Sequence, residues 1–293
     1  MDADAARPGV AITPALLRTW ALPDRTGDKD DRGGVLVIGG ARRTPGAALL
    51  AGLAALRVGA GRLTLAVAES VAPTLAVATP EAGVLGLPEG PAGAVLRAPR
   101  DVVGDEVARA AAVVVGPGLD DAAGTRAVLE DVCALLEDGT PVLLDAFALG
   151  VLPDLDDVHD RLAGRLVLTP NTQEAQRLLD DADRPPHDAA RAIAERYGAV
   201  VALSGVVATP AGELWSSASG HSGLGTSGSG DVLAGAVAGL LAGGTDLPRA
   251  TCWGVALHGA AGDRLAAGVG PVGFLARELV DALPASLLEL QVH

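Results

Sequence analysis

Gly223-Leu224-Gly225-Thr226-Ser227-Gly228-Ser229-Gly230-Asp231 runs without a break into Val232-Leu233-Ala234-Gly235-Ala236-Val237-Ala238-Gly239-Leu240-Leu241. The second stretch is apolar all round, as a buried helix is. The first is a glycine loop at its N-terminus, where free backbone N–H groups and the positive dipole end favour an anion. Glycine at Gly228 and Gly230 lets a phosphate approach the backbone with no side chain in the way. Asp231 does not fit simple anion binding. A carboxylate at a helix start is by itself most simply a cap, worth about 0.5–2 kcal/mol. Beside a phosphate site it repels the ligand, so its placement points to a base that takes a proton from a hydroxyl as the phosphate approaches.

Outward from this loop the chain alternates. Val35-Leu36-Val37-Ile38 ends in Gly39-Gly40, and a small-residue helix from Gly46 to Val58 precedes a strand at Leu63 to Val67. Val113-Val114-Val115 runs into Gly116-Pro117-Gly118, Val142-Leu143-Leu144 into Asp145, Leu166-Val167-Leu168 into Thr169-Pro170-Asn171, and Ala199 to Leu203 into Ser204-Gly205. Short β-rich runs alternating with helices predict an α/β fold, a mostly parallel central sheet flanked by helices on both faces. Ligands then bind at the carboxyl ends of the strands, where these polar turns collect. Val206 to Thr209 and Glu213 to Ser216 flank Pro210-Ala211-Gly212 and predict a hairpin. Helices are expected from Pro14 to Leu22, Asp231 to Ala242, Pro248 to Ala267 and Gly273 to Leu290, and solvated loops at Asp24 to Gly34 and Asp154 to Asp160. No repeat or linker divides residues 1–293, which are expected to form one domain with a loose tail at 1–12.

Nearly half of the chain (49%) is hydrophobic but only 2% is aromatic, so Ala, Val and Leu must fill the core. The net charge of −14, from 36 acids against 22 bases, argues against nucleic acid and anionic membranes, whose binding needs a basic face. It leaves a nucleotide possible, because backbone N–H groups can hold phosphate. Cys133 and Cys252 lie in apolar helical contexts without ligand spacing, as buried thiols of a reducing compartment do. No signal-peptide core or membrane-spanning run is present, so the expected setting is the cytoplasm. No His/Asp/Glu cluster has metal-ligand spacing, which leaves only a nucleotide-borne Mg²⁺. Trp20, Trp215 and Trp253 are scattered, as packing residues are. Asp145, just past a buried strand, either orients a magnesium-bound water or caps the next turn.

From Lys29 to about Pro284 the chain resembles the ADP/ATP-dependent NAD(P)H-hydrate dehydratases, which have a ribokinase-like fold. The likeness is carried, in order, by Lys29-Asp30-Asp31-Arg32-Gly33, Gly39-Gly40, Gly46-Ala47-Ala48-Leu49-Leu50-Ala51, Ala55-Leu56-Arg57-Val58-Gly59-Ala60-Gly61, Gly116-Pro117-Gly118-Leu119, Asp145-Ala146-Phe147-Ala148-Leu149, Gly228-Ser229-Gly230-Asp231 and Leu257-His258-Gly259. The resemblance implies dehydration of hydrated NADH or NADPH at the expense of ADP or ATP, a lyase reaction that repairs the cofactor. It implies Asp231 as the base on the substrate hydroxyl, Ala47, Gly118 and Asn171 as further substrate contacts, and Gly228 and Gly230 at the nucleotide phosphates. It also implies Ser204, Gly205, Val206, Val207 and Ala208 as the segment along the adenine nucleotide, and a homo-oligomer, a tetramer.

Three positions depart from the family pattern. Asp30 replaces a glycine, Asn171 replaces the histidine of a Thr-Pro-His-Pro-Gly-Glu turn, and Ser204 replaces the lysine of a Lys-Gly pair. The last two remove cations from the site and point to one alternative, a catalytically weakened nucleotide-binding relative; the same loop and the same Asp231 would equally serve the other, a ribokinase-like kinase of a small alcohol-bearing metabolite. His258, among Ala, Gly and Leu, is expected to be a packing or interface residue. His221 is either a nucleotide contact or a solvated loop residue.

Overall fold

In a computed structural model, residues 9–24, 26–181 and 183–292 are described. In chain order the elements are β1 (Val10–Ala11), α1 (Pro14–Thr19), β2 (Gly34–Ile38), α2 (Pro45–Arg57), β3 (Arg62–Ala68), α3 (Ala72–Ala78), β4 (Ala82–Leu87), α4 (Arg100–Arg109), β5 (Ala112–Val115), α5 (Ala122–Leu135), β6 (Val142–Leu144), α6 (Phe147–Val151), α7 (Asp156–Leu162), β7 (Leu166–Leu168), α8 (Thr172–Leu179), α9 (Pro186–Tyr197), β8 (Ala199–Leu203), β9 (Val206–Ala208), β10 (Leu214–Ser216), α10 (Ser229–Ala242), α11 (Leu247–Gly268) and α12 (Ala276–Val292). Short 3₁₀ turns lie at Leu152–Asp154 and Ser222–Gly225.

Among the described residues ten strands form one sheet in the order β1-β10-β9-β8-β7-β6-β5-β2-β3-β4. Every neighbouring pair is parallel except β8/β9 and β9/β10. Side chains of β2 alternate between two cores. Val35 and Val37 join the one that contains α2, α10, α11 and α12, while Leu36 and Ile38 join the one that contains α5, α8 and α9. Both faces of the central strands are therefore dry, which is why those strands are unbroken apolar runs.

The expected α/β architecture is present, and so is the hairpin, as β9 and β10. Three local expectations are corrected, and one element is new. Residues 10–12 are not a loose tail: Val10 and Ala11 pair in parallel with Trp215 and Ser216, and Ile12 N–H donates to Ser216 O at 2.8 Å. Residues 1–8, the rest of that expected tail, lie outside the described residues. The helix expected to reach Leu22 stops at Thr19, and Trp20 turns out so that its carbonyl accepts from Trp253 Nε1 at 3.0 Å. The acidic run Asp154 to Asp160 is largely helical, because α7 buries Val158 and Leu162 on one side. Strand β4, with α3 and α4 on either side of it, was not expected: Ala82-Gly83-Val84-Leu85-Gly86-Leu87 is an edge strand weakened by two glycines.

Cys133 and Cys252 are free and buried, and burial pushes the Cys133 thiol up to about 11 and the Cys252 thiol further. Trp20 and Trp215 pack edge to face at 5.8 Å.

Candidate active site

The chain leaves β2 toward β3 on one side, while β5 lies on its other side, so the order reverses between β2 and β5. A crevice at such a point is where open α/β sheets bind ligands. Here the two strand-end loops are tied together. Gly40 N–H donates to Pro117 O at 2.8 Å, Ala41 N–H to Gly118 O at 2.8 Å, and Thr44 Oγ1 to the same Gly118 carbonyl at 2.8 Å. A Cβ on Gly39 would stand 2.0 Å from Pro117 O, so the loops can meet only through glycine. Gly118, with φ +75°, lies against Ala47: a Cβ there would be 3.1 Å from that of Ala47. The expected substrate contacts Ala47 and Gly118 are thus neighbours in space, 71 residues apart in the chain by their numbers.

The glycine loop joins the same crevice because α10 lies directly on α2. A Cβ on Gly235 would be 1.9 Å from Ala51 O, and one on Gly239 2.5 Å from Ala55 O, so the two backbones touch. Gly228 is the N-cap, with φ +88°, packed against Leu50 of α2 and Ala276 of α12. Gly230 is different: a Cβ there would meet nothing within 4 Å. Its N–H stands at an open helix N-terminus, as a phosphate subsite requires. Asp231 is the third residue of α10, a first-turn carboxylate and not the N-cap, which is Gly228.

Two further carboxyl groups converge on Asp231. Asp145 follows β6 and is 4% exposed; Thr169, at the end of β7, donates Oγ1–H to its Oδ1 at 2.7 Å. Burial, and then the charge of Asp231, push the Asp145 carboxyl up to about 8. Burial and the charge of Glu174 push Asp231 up to about 6, and burial raises Glu174. Ala146, the next residue after Asp145, has φ 51° and ψ −122°, a glycine-like conformation that a Cβ resists. It forms a tight turn in which Ala148 N–H donates to Asp145 O at 3.2 Å, aiming strand β6's terminal carboxyl into the crevice.

Asn171 is the N-cap of α8 in a reciprocal capping box. Its Oδ1 accepts from Glu174 N–H at 3.0 Å, and Glu174 Oε2 accepts from Asn171 N–H at 2.8 Å. Its side-chain oxygen is committed to the helix, which leaves the amide N–H₂ for a ligand. Glu174 escaped the sequence reading, since a capping-box glutamate reads as a helix-start signal and nothing local reveals that the cap opens toward Asp231.

On the other side of the glycine loop, Ser204 (φ 49°) and Gly205 (φ 80°) make the two-residue turn between β8 and β9. Both line a cavity of about 80 Å³ with Ser219, Leu224, Leu233, Val255, His258 and Gly259. Val206, Val207 and Ala208 form the buried strand β9, so their side chains pack in the two cores and shape this cavity only by holding the turn. His221 is exposed, with Nδ1 3.1 Å from Pro271 O. His258 Nε2 lies 2.8 Å from Ser229 Oγ. A larger cavity, about 450 Å³, opens at the opposite end of β2 and β3, around Lys29, Arg62 and Arg109, far from the glycine loop. Among the described residues no three His, Cys, Asp or Glu side chains stand close enough to hold a metal ion.

A phosphate cradle, an ionisable carboxylate beside it and a glycine-lined crevice in front of both can position a hydroxyl against a nucleotide phosphate. Residues 35–285 match the family model described as NAD(P)H-hydrate dehydratase. The ADP-dependent (S)-NAD(P)H-hydrate dehydratase of Xanthomonas campestris is 44% identical over 288 residues, 94% of this chain and 95% of that protein. The chain spans only 54% of the bifunctional NAD(P)H-hydrate repair enzyme of Moorella thermoacetica, at 37% identity. The crystal structure of the Bacillus subtilis ADP/ATP-dependent NAD(P)H-hydrate dehydratase, co-crystallised with ATP and Mg²⁺, matches with a TM-score of 0.78 and 28% identity over 97% of this chain and all of that one.

Proposed function

The chain belongs to the NAD(P)H-hydrate dehydratase family, and we propose that it dehydrates hydrated NADH or NADPH at the expense of ADP or ATP, with Asp231 as the base. The observation that carries this reading is the placement of Asp231 inside the first turn of α10. There its carboxylate stands past the N-cap Gly228, beside the open Gly230 and in the same crevice as Ala47 and Gly118.

In this reading the damaged nicotinamide ring lies against Ala47, Gly118 and Asn171, and the nucleotide runs from the Ser204–Gly205 turn to Gly228 and Gly230. Asp231 accepts the hydroxyl proton as that oxygen bonds to the terminal phosphorus and the bond from phosphorus to the nucleotide breaks. The backbone N–H groups of the glycine loop stabilise the charge that develops on the phosphoryl oxygens. Phosphate then leaves the ring carbon with the C–O bonding pair, and loss of a proton from the adjacent carbon restores the ring double bond. Mg²⁺ enters as part of the nucleotide substrate. Val206, Val207 and Ala208 act through the turn they support.

The exposed Val269, Val272, Leu275, Leu288 and Val292 near the chain's C-terminal helix support a homo-oligomer, a tetramer in our reading. Cytoplasm is the setting we infer, since free nucleotides and reduced cofactors are available there and two free buried thiols suit it. No helix among the described residues is long and apolar enough to cross a membrane.

The test is to follow absorbance in the reduced-nicotinamide band with hydrated NADH, magnesium and either nucleotide. A nucleotide-dependent rise is expected. A stable phosphorylated product without loss of water identifies a kinase instead, and nucleotide binding with neither product identifies the weakened relative.

A further inference from the structure

Ser229 lies between the two glycines of the phosphate cradle and is 4% exposed. It is the first residue of α10, just past the N-cap Gly228. Its hydroxyl reaches across to α11, where His258 Nε2 stands 2.8 Å away. The same face of α11 supports the far wall of the nucleotide cavity. A Cβ on Gly259 would come within 2.9 Å of Ser219, one on Gly262 within 2.7 Å of Leu224, and Asp263 accepts Gly220 N–H at 3.1 Å. One turn of helix thus touches both the cradle and the wall, and His258 is its link to the cradle.

We propose that His258 is a positioning residue, which through Ser229 sets the first turn of α10, and with it Gly230 N–H and the Asp231 carboxylate, relative to the nucleotide cavity. This rests on the reading of the site given above. A hydroxyl both donates and accepts, so either tautomer of a neutral imidazole completes the bond. Burial depresses the imidazole to about 4, with an interaction with the Ser229 backbone opposing, so the link is uncharged and leaves the positive helix end to the phosphate. Ser229 and Asp231 share one helical turn, so a shift of the first displaces the second. Misplacement of a reacting group by about 1 Å can cost on the order of 100-fold in rate.

The experiment is a double-mutant cycle on the full chain: His258→Ala, Ser229→Ala and the pair, with His258→Gln as the conservative variant. Turnover, KM for hydrated NADH and ADP affinity by titration calorimetry are measured on each. Each alanine variant is expected to lower kcat roughly tenfold and to leave KM for hydrated NADH within about twofold, and the double variant to be no worse than either single one. His258→Gln is expected to recover much of the loss, because an amide can replace the hydrogen bond. Losses that multiply in the double variant, or melting temperatures that fall while kcat stands, overturn the proposal. If His258→Ala does not fold, Ser229→Ala and His258→Gln carry the same comparison. Wild-type protein that binds ADP without dehydrating the hydrate refutes the proposed function; the cycle is then read in ADP affinity, and additivity there overturns this inference separately.

Discussion

Thr169 Oγ1 donates a 2.7 Å hydrogen bond to Asp145 Oδ1, both side chains buried at the carboxyl ends of adjacent parallel strands. The bond favours the carboxylate form and opposes the burial that raises Asp145. Thr169→Val, similar in shape, leaves that oxygen without its donor. It is expected to cost about 1–3 kcal/mol in urea unfolding, the usual penalty for an orphaned buried acceptor.

Asp145 also gives the fold a pH dependence whose sign is determined. Its folded-state value of about 8 lies above its ordinary 3.8, so the folded protein keeps a proton that the unfolded chain releases. Stability from this group is therefore full below 3.8 and is lost progressively as pH climbs to about 8. Asp145→Asn should melt above wild type at pH 8 and level with it at pH 4. Thermal melts across that range check it, and an unchanged gap would contradict the burial of this charge.

Asp231→Asn is expected to lower kcat by about 10²–10⁴ and to leave ADP affinity equal or slightly improved, since a negative charge beside the phosphates is gone. In wild type, kcat/KM should rise with pH through about 6, where Asp231 loses its proton, and then level off. A pH–rate profile with its acid limb near the ordinary carboxylate value would place the base elsewhere.

Two glycines in one helix should behave in opposite ways. Gly235→Ala drives a Cβ to 1.9 Å from Ala51 O, between two backbones that cannot yield cheaply. Overpacking of this kind costs typically about 1–3 kcal/mol or more, seen as a lower melting temperature. Gly230→Ala meets nothing within 4 Å and should melt as wild type does, while a methyl in the phosphate's path weakens ADP binding.

Ser204 occupies a positive-φ turn position that favours Asn or Gly. Ser204→Asn is expected to stabilise by up to about 1 kcal/mol in denaturant titration. Ser204→Lys, which adds a cation beside the cavity, should tighten ADP at low salt and lose that gain at high salt.

The sheet and its binding edge were legible because a parallel strand covered on both faces leaves an unbroken apolar run, and each such run here ends in a polar turn. Asp231 stood out for a different reason, as a charge where only a backbone cradle was needed. What could not be read were relations across the fold. Glu174 has a sufficient local purpose in its capping box, and Ser229 passes for a turn residue until α11 is seen opposite. Strand β4 was hidden by its own glycines, and Val10–Ala11 is too short to announce itself before β10 is in place to receive it.

The contact of α10 on α2 through Gly235 and Gly239 leaves no layer of side chains between the two helices. Side chains act as cushions that let helices slide by an ångström or two, and without them the pair moves as one piece. Ala47, the proposed substrate contact, and Gly230, the proposed phosphate contact, therefore ride on the same body, so their spacing is built in before any ligand arrives.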